Sequence, residues 1–106
     1  AIARIRLLAG PATLTNIPVS GEKEDHVSMG STACERLIEV CNLASSVIAS
    51  EMIVAAAALD LRDEDPGKGV RDLHKIVRSI SPPIDGDRSM AQETKALSDY
   101  LMEYGV

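Results

Sequence analysis

The chain has 106 residues, enough for one small domain with a modest core. Its 16 acidic and 11 basic side chains give a net charge of −5, which argues against a surface for nucleic acids or anionic membranes. With two Tyr and no Phe or Trp, the core must consist of aliphatic side chains and Ala.

Residues 1–25 are expected to form an apolar start followed by a loop. The opening "AIARIRLLAG" is apolar, and Gly10, Pro11, Asn16 and Pro18 then interrupt regular structure. Five consecutive ionisable side chains follow, from Glu22 to His26, and they stand just before the longest stretch without proline.

A long helix is predicted within residues 26–62, from about 26 to 61. No proline occurs between Val19 and Asp65, and apolar residues recur there at steps of four and three. Asp25 or Ser28 is positioned to cap its first turn. The run "MIVAAAAL" at 52–59 is apolar on every side, which predicts burial on every side. The predicted apolar seam consists of Cys34, Ile38, Cys41, Ser45, Ile48, Met52, Ala55 and Leu59.

This helix is too long for the body that carries it. Residues 28–61 would span about 51 Å at 1.5 Å per residue, whereas a compact chain of this length has a diameter of roughly 33 Å. We therefore expect neighbouring long helices, from the rest of a larger chain or from other subunits. The stretch is interrupted by Ser50 and Glu51, so no membrane span is expected.

The segment 63–106 is predicted to contain two shorter helices. "GKGVRDLHKIVRSI" places its apolar residues on one face and stops at "SPP", and His74 on this surface helix is expected to be structural or solvated. Ser89 and Gln92 form a potential capping box for a helix that runs to Tyr104 and closes at Gly105. With no strand pattern, the fold class is predicted to be all-α.

The two cysteines are expected to be buried small hydrophobes rather than a disulfide. Cys34 and Cys41 on one helix lie about 10.5 Å apart along its axis, beyond the roughly 7 Å that a disulfide spans. A cytoplasmic location is the expectation that follows.

Three interpretations of the charged cluster stay open on the residues alone. It is a solvated loop with a helix cap, or a metal site using Glu24, Asp25 and His26, or a catalytic site at a helix N-terminus. Adjacent residues rarely converge on one ion, so no metal is expected. Lys23 is positioned to pair with Glu22 or Glu24.

The run "NIPVSGEKEDHVSMGS" resembles the C-terminal signature of the aromatic amino acid ammonia-lyases, in the form S-I-P-T-S-A-N-Q-E-D-H-V-S-M-G of their histidine-specific members. "LLAGPATLTNIP" and "AAAALDLR" extend the resemblance over residues 7–62. Gly21, Glu22 and Lys23 depart from the family's Ala, Asn and Gln. The residues that match are Ile17, Pro18, Ser20, Glu24, Asp25, His26, Val27, Ser28, Met29 and Gly30.

The resemblance implies a piece of a larger, mostly helical homotetrameric lyase whose long helices form a central bundle. Its implied reaction is non-oxidative elimination of ammonia from L-histidine to give trans-urocanate. The family's electrophile, 4-methylidene-imidazol-5-one, forms from an Ala-Ser-Gly, which these residues lack. By itself this segment is expected to be inactive. Its start at Ala1, inside an apolar run, is what either a fragment or a processed chain would show.

Site roles are likewise implied by the resemblance. Glu24 is the expected catalytic and substrate-binding residue, because a carboxylate accepts a hydrogen bond from an imidazole N–H. Relatives specific for phenylalanine or tyrosine generally carry Gln there. Lys23 is expected to contact substrate. His26 and Asp25 are expected to support the residues that contact substrate without touching it themselves. Two alternatives remain: a phenylalanine or tyrosine lyase or aminomutase of the same family, and a non-catalytic helical oligomerisation module.

Overall fold

The computed structural model describes residues 1–105 and is all-α, as predicted. A short 3₁₀ turn, Ala12–Thr15, follows the first helix. Within the described residues the only β-type pairing is an isolated bridge between Val19 and Glu24. Val106, the end of the predicted segment 63–106, lies outside the described residues. The helices are α1 (Ile2–Leu8), α2 (Gly30–Asp60), α3 (Lys68–Ile80) and α4 (Ala91–Tyr104).

Helix α2 confirms the long helix, but it begins at Gly30 instead of residue 26 and ends at Asp60. The carbonyl of Met29 accepts the N–H of Ala33 at 2.9 Å, so Met29 is the residue that precedes the first turn. Neither Asp25 nor Ser28 holds the predicted capping position. Upstream of Met29, the side chain of Asn16 binds both the N–H and the carbonyl of Val27. These hydrogen bonds compete with those that a helix would form there.

The chain divides into two compact units, Ala1–Ala44 (unit 1) and a second that begins at Ser45 (unit 2). In unit 1, Arg4 donates to Glu39 at 2.8 Å, and Arg36 donates to the Gly10 carbonyl at 3.0 Å. Every fully buried side chain of the described residues belongs to unit 2. Unit 1 is therefore held by polar contacts at its surface more than by a core of its own.

Unit 2 has a small aliphatic core. Two of its members are small alanines on α2, and the hydroxyls of Ser45 and Ser98 meet beneath the surface at 2.7 Å. Met52, Ile80, Met90 and Leu101 pack around the centre. The core consists of Ala49, Ile53 and Ala56 from α2, Val77 from α3 and Leu97 from α4.

The predicted apolar seam of α2 is only partly the buried face. Cys34 and Cys41 are exposed free thiols, so the expectation of buried cysteines is wrong for this chain. Ile38 is 62% exposed, and Val54 is 68% exposed within the run expected to be buried on all sides. The periodicity of α2 identifies an apolar face. Helices α3 and α4 cover a neighbouring face of α2 instead, the one that carries Ala49, Ile53 and Ala56.

By length and composition alone, α2 is long and apolar enough to cross a membrane. We expected the interruption by Ser50 and Glu51 to exclude a membrane span. By length and composition, it does not. Part of its second half nevertheless packs against α3 and α4, as the core helix of a globular protein does.

Helices α3 and α4 match their predictions except at one end. Helix α3 stops at Ile80, and α4 ends at Tyr104. Gly105 follows it with a φ of 72° and donates its N–H to the carbonyl of Leu101. The predicted capping box is wrong, because Met90 precedes α4 and no side chain caps it.

Candidate active site

The charged cluster lies in the loop between the 3₁₀ turn and α2. Val19 and Glu24 exchange two backbone hydrogen bonds across it, from Val19 N–H to the Glu24 carbonyl at 3.0 Å and from Glu24 N–H to the Val19 carbonyl at 3.3 Å. Residues 20–23 form the turn that joins them. The position of Glu24 is thus defined by the main chain.

Three consecutive residues of this turn are left-handed. Ser20, Gly21 and Glu22 have φ values of 55°, 62° and 65°. Glycine adopts this region freely, but a residue with a Cβ pays about 1–2 kcal/mol there. Strained backbone of this kind is concentrated at functional sites, where the surrounding structure holds it in place.

Glu24 is exposed, and its carboxylate has no hydrogen-bond or ion-pair partner in the described part of the chain. Lys23 forms no ion pair there either, so the expected pairing of Lys23 with Glu22 or Glu24 is not found. Asp25 is exposed as well. The loop therefore presents a carboxylate whose acceptor capacity is unused by these residues.

His26 and Val27 are held by Asn16, which was expected only to interrupt regular structure. Asn16 Oδ1 accepts the N–H of Val27 at 3.1 Å, and its Nδ2 donates to the carbonyl of Val27 at 2.6 Å. The same Nδ2 lies 3.2 Å from Nδ1 of His26. Asn side chains readily form hydrogen bonds with the backbone. Asn16 and Val27 are eleven residues apart, so no local sequence pattern would have identified this contact.

A cavity of about 390 Å³ lies beside this clamp in unit 1. Its polar side chains are Thr13, His26 and Ser28, and Gly30 at the start of α2 also lines it. The cavity is open to solvent, since Thr13, His26 and Ser28 are all exposed. Of the predicted site residues, only His26 reaches it; Lys23, Glu24 and Asp25 are not part of its lining.

A second group of charges occurs in unit 2. Asp60 accepts hydrogen bonds from His74 at 2.7 Å and from Arg78 at 2.6 Å. Burial alone would raise the pKa of Asp60, but the hydrogen bonds from His74 and Arg78 and the charge of Arg78 outweigh it and hold that pKa below its ordinary value. His74, expected to be structural or solvated, is thus a structural partner of Asp60.

No group of three or more His, Cys, Asp or Glu side chains in residues 1–105 is arranged to hold a metal ion. Glu24, Asp25 and His26, the ligands that the metal interpretation would need, do not form such a group.

The loop and helices are shared with known proteins. The sequence model described as "Aromatic amino acid lyase" matches residues 1–79. A histidine ammonia-lyase from Myxococcus xanthus is 43% identical over 101 residues, and one from Gloeobacter violaceus is 36% identical over 103 residues. These alignments cover 94% and 96% of this chain and 20% of each relative.

The crystal structure of histidine ammonia-lyase from Trypanosoma cruzi has the same fold. It superposes with a TM-score of 0.83 at 30% sequence identity, covering 92% of this chain and 20% of that one. The chain thus spans about a fifth of the length of the relatives it matches. Because the family match includes the whole loop and α2 and most of α3, this chain belongs to the aromatic amino acid lyase family.

Proposed function

We propose that the chain is part of a histidine ammonia-lyase, which eliminates ammonia from L-histidine non-oxidatively and yields trans-urocanate. Two lines of support converge on this substrate. The relatives cited above are named as histidine ammonia-lyases, and position 24 carries Glu, the residue type suited to an imidazole.

The observation that carries the proposal is the free carboxylate of Glu24 on a loop fixed by main-chain pairing. An ionised carboxylate offers acceptors only, so it can receive the N–H of the substrate imidazole and stabilise positive charge that develops on the ring. A benzene ring offers no donor, and a carboxylate facing it would be buried without compensation. Glu24 therefore favours histidine over phenylalanine, and the Gln that the resemblance implies for tyrosine-specific relatives extends the preference to histidine over tyrosine.

The neighbouring residues have supporting roles in this proposal. Lys23 is assigned to substrate contact, because it has no ion-pair partner in residues 1–105 and its ammonium group is free to meet an anionic group of the substrate. Asp25 and His26 are assigned to holding the pocket, His26 through its contact with Asn16.

The electrophilic prosthetic group of this proposal, 4-methylidene-imidazol-5-one, would activate the amino group of histidine as a leaving group. The 106 residues of this chain do not fit its formation. Their two Ala-Ser pairs, at 44–45 and 49–50, are followed by Ser46 and Glu51 instead of Gly, and both pairs lie inside α2. We assign the group to another part of the protein. The role proposed for this chain is limited to binding and orienting the substrate.

The proposed partners are the remainder of the lyase chain and three further copies in a homotetramer in the cytoplasm. The exposed apolar side chains of α2 support this, since Leu37, Ile38 and Val54 are each more than 60% exposed in the chain alone. Apolar surface of this kind is costly in water, at about 25 cal/mol per Å².

Urocanate formation by the full-length protein tests the proposal. We expect Glu24→Gln to lower kcat/KM for histidine by roughly 10- to 100-fold, the size of a hydrogen bond to a charged group. Glu22→Gln, the same chemical change two residues earlier, is the matched control and should stay within about threefold. Equal activity of parent and Glu24→Gln would show that the assigned role is wrong.

Product analysis on histidine, phenylalanine and tyrosine separates the alternatives. Cinnamate or coumarate as the main product would indicate a phenylalanine or tyrosine lyase, and β-amino acids would indicate an aminomutase. A full-length tetramer that consumes none of them would be a non-catalytic oligomerisation module.

A further inference from the structure

The amide of Asn16 has one chemically permitted orientation. A backbone N–H only donates and a backbone carbonyl only accepts, so the atom 3.1 Å from Val27 N must be Oδ1 and the atom 2.6 Å from Val27 O must be Nδ2. Exchanging the two atoms would oppose donor to donor and acceptor to acceptor. The orientation therefore follows from two independent contacts with the main chain.

This orientation decides which nitrogen of His26 carries the proton. The amide Nδ2 has two hydrogens and no lone pair to offer; one hydrogen goes to the Val27 carbonyl, and the other faces Nδ1 of His26 at 3.2 Å. Nδ1 must then be the acceptor. In a neutral imidazole the remaining nitrogen, Nε2, holds the proton.

We infer that Asn16 is a positioning residue that holds His26 in the Nε2–H tautomer, so that His26 offers the cavity at the start of α2 a hydrogen-bond donor and not a base. Nδ1 is occupied by Asn16, and His26 lines that cavity. The only ring nitrogen left for a ligand is Nε2, as an N–H. The chemistry that fits is an acceptor oxygen, such as the carboxylate of an amino acid.

Within the proposed function, on which this part of the inference rests, His26 orients substrate and removes no proton from it. A neutral ring with Nε2 protonated and Nδ1 occupied has no free lone pair. The proton at the β-carbon of histidine must then be taken by a group other than His26.

The tautomer can be measured without any activity. In the full-length protein labelled with ¹⁵N-histidine, solid-state NMR distinguishes protonated from unprotonated ring nitrogens, and the spectrum of His26→Gln identifies the signals of His26. We expect Nε2–H alone in the parent. Asn16→Asp keeps an acceptor for the Val27 N–H but places a carboxylate oxygen against Nδ1, so the proton should move to Nδ1.

Two results would overturn the inference: Nδ1–H in the parent, or an unchanged Nε2–H in Asn16→Asp. The first needs no variant, so a misfolded Asn16→Asp leaves the inference testable. Asn16→Ala provides a third NMR test, because removal of the amide should replace the single tautomer of His26 by a mixture of both tautomers. A single Nε2–H form in Asn16→Ala would show that Asn16 does not set the tautomer.

Two near-isosteres at position 26 test the donor itself. Gln reaches as far as Nε2 and carries an NH₂ group there, whereas Asn reaches only as far as Nδ1. We expect His26→Gln to retain at least about tenfold higher kcat/KM for histidine than His26→Asn, the value of one hydrogen bond. Thr15→Ala, which removes only a hydroxyl bound to the Ala12 carbonyl beside Asn16, controls for local disturbance.

Equal activity of the two variants, or a better His26→Asn, would overturn the donor role. If the parent deaminates no aromatic amino acid, the proposed function fails, and the NMR measurement still decides the tautomer and the role of Asn16.

Discussion

Arg78 donates a 2.6 Å hydrogen bond from Nη2 to Oδ2 of Asp60, the last residue of α2. The free carbonyls at a helix C-terminus carry partial negative charge, so an Asp there is unfavourable unless cations offset it. Arg78 and His74, both from α3, meet the two oxygens of this carboxylate. His74 and Arg78 therefore fasten the end of α2 to the second half of α3.

The stability of this contact should depend on pH. The pKa of Asp60 in the folded protein lies below its ordinary value of 3.8, so its contribution is complete above pH 3.8 and is lost as the pH falls through the folded pKa. At pH 7, Asp60→Asn should lower the free energy of unfolding by about 1–2 kcal/mol, because hydrogen bonds to a charged, partly exposed group are removed. Urea denaturation should show this difference shrinking near pH 3.

Asp72→Asn is the matched control on α3. Asp72 lies 3.8 Å from Lys75 with both side chains largely exposed, so its loss should change stability by less than about 0.5 kcal/mol at either pH. A difference between Asp60→Asn and parent that persists undiminished at pH 3 would contradict the assigned role of the charge.

The left-handed turn predicts a stabilising substitution. Glu22 has a φ of 65°, a region that Asn tolerates better than other residues with a side chain. Glu22→Asn should therefore raise the free energy of unfolding by about 0.5–1 kcal/mol in chemical denaturation. The same change at Glu35, exposed on α2, should lower it by a few tenths of a kcal/mol through helix propensity. Changes of the same sign at both positions would argue against the turn geometry.

Leu97 is the largest fully buried apolar side chain in residues 1–105, with no exposed surface. Leu97→Ala should destabilise the protein by about 2–5 kcal/mol, because it removes apolar burial and leaves a cavity. Met102→Ala on the same helix is the comparison; Met102 is 52% exposed, and its loss should cost less than about 1 kcal/mol. Similar midpoints for the two variants in a urea titration would show that the core is elsewhere.

The exposed thiols report on the proposed assembly. Cys34 and Cys41 are exposed in this chain, so both should react readily with a maleimide in the 106-residue polypeptide. In the full-length protein the reaction should be slower by about tenfold or more, as expected when exposure requires an opening that costs at least about 1.4 kcal/mol. Cys34→Ser and Cys41→Ser variants assign each rate to one thiol. Equal rates in the 106-residue polypeptide and in the full-length protein would show that the α2 face with these cysteines is exposed to solvent in the assembly.

The sequence was sufficient for the elements whose signals are local. The stretch without proline predicted α2, the "SPP" stop predicted the end of α3, and Gly105 predicted the end of α4. The motif around Glu24 identified the family, because it is a contiguous run of residues.

Features that depend on contacts between distant residues were not predicted. Asn16 binds Val27 across eleven positions and occupies the carbonyl that a helix starting at residue 26 would use for its own hydrogen bonding. The buried face of α2 is selected by residues of α3 and α4 such as Val77 and Leu97, which no periodicity within α2 specifies. Met90 takes the place expected for a capping serine, since the loop before α4 is shaped by Arg88 and its contacts to Glu93 and the Pro82 carbonyl.

The bridge between Val19 and Glu24 uses only amide and carbonyl groups. It therefore makes no demand on the side chain at position 24, and any residue with a backbone N–H can replace Glu24 without losing either bond. Under the role proposed for Glu24, chemical preference and loop architecture are separable traits, because single replacements at this position leave the scaffold intact.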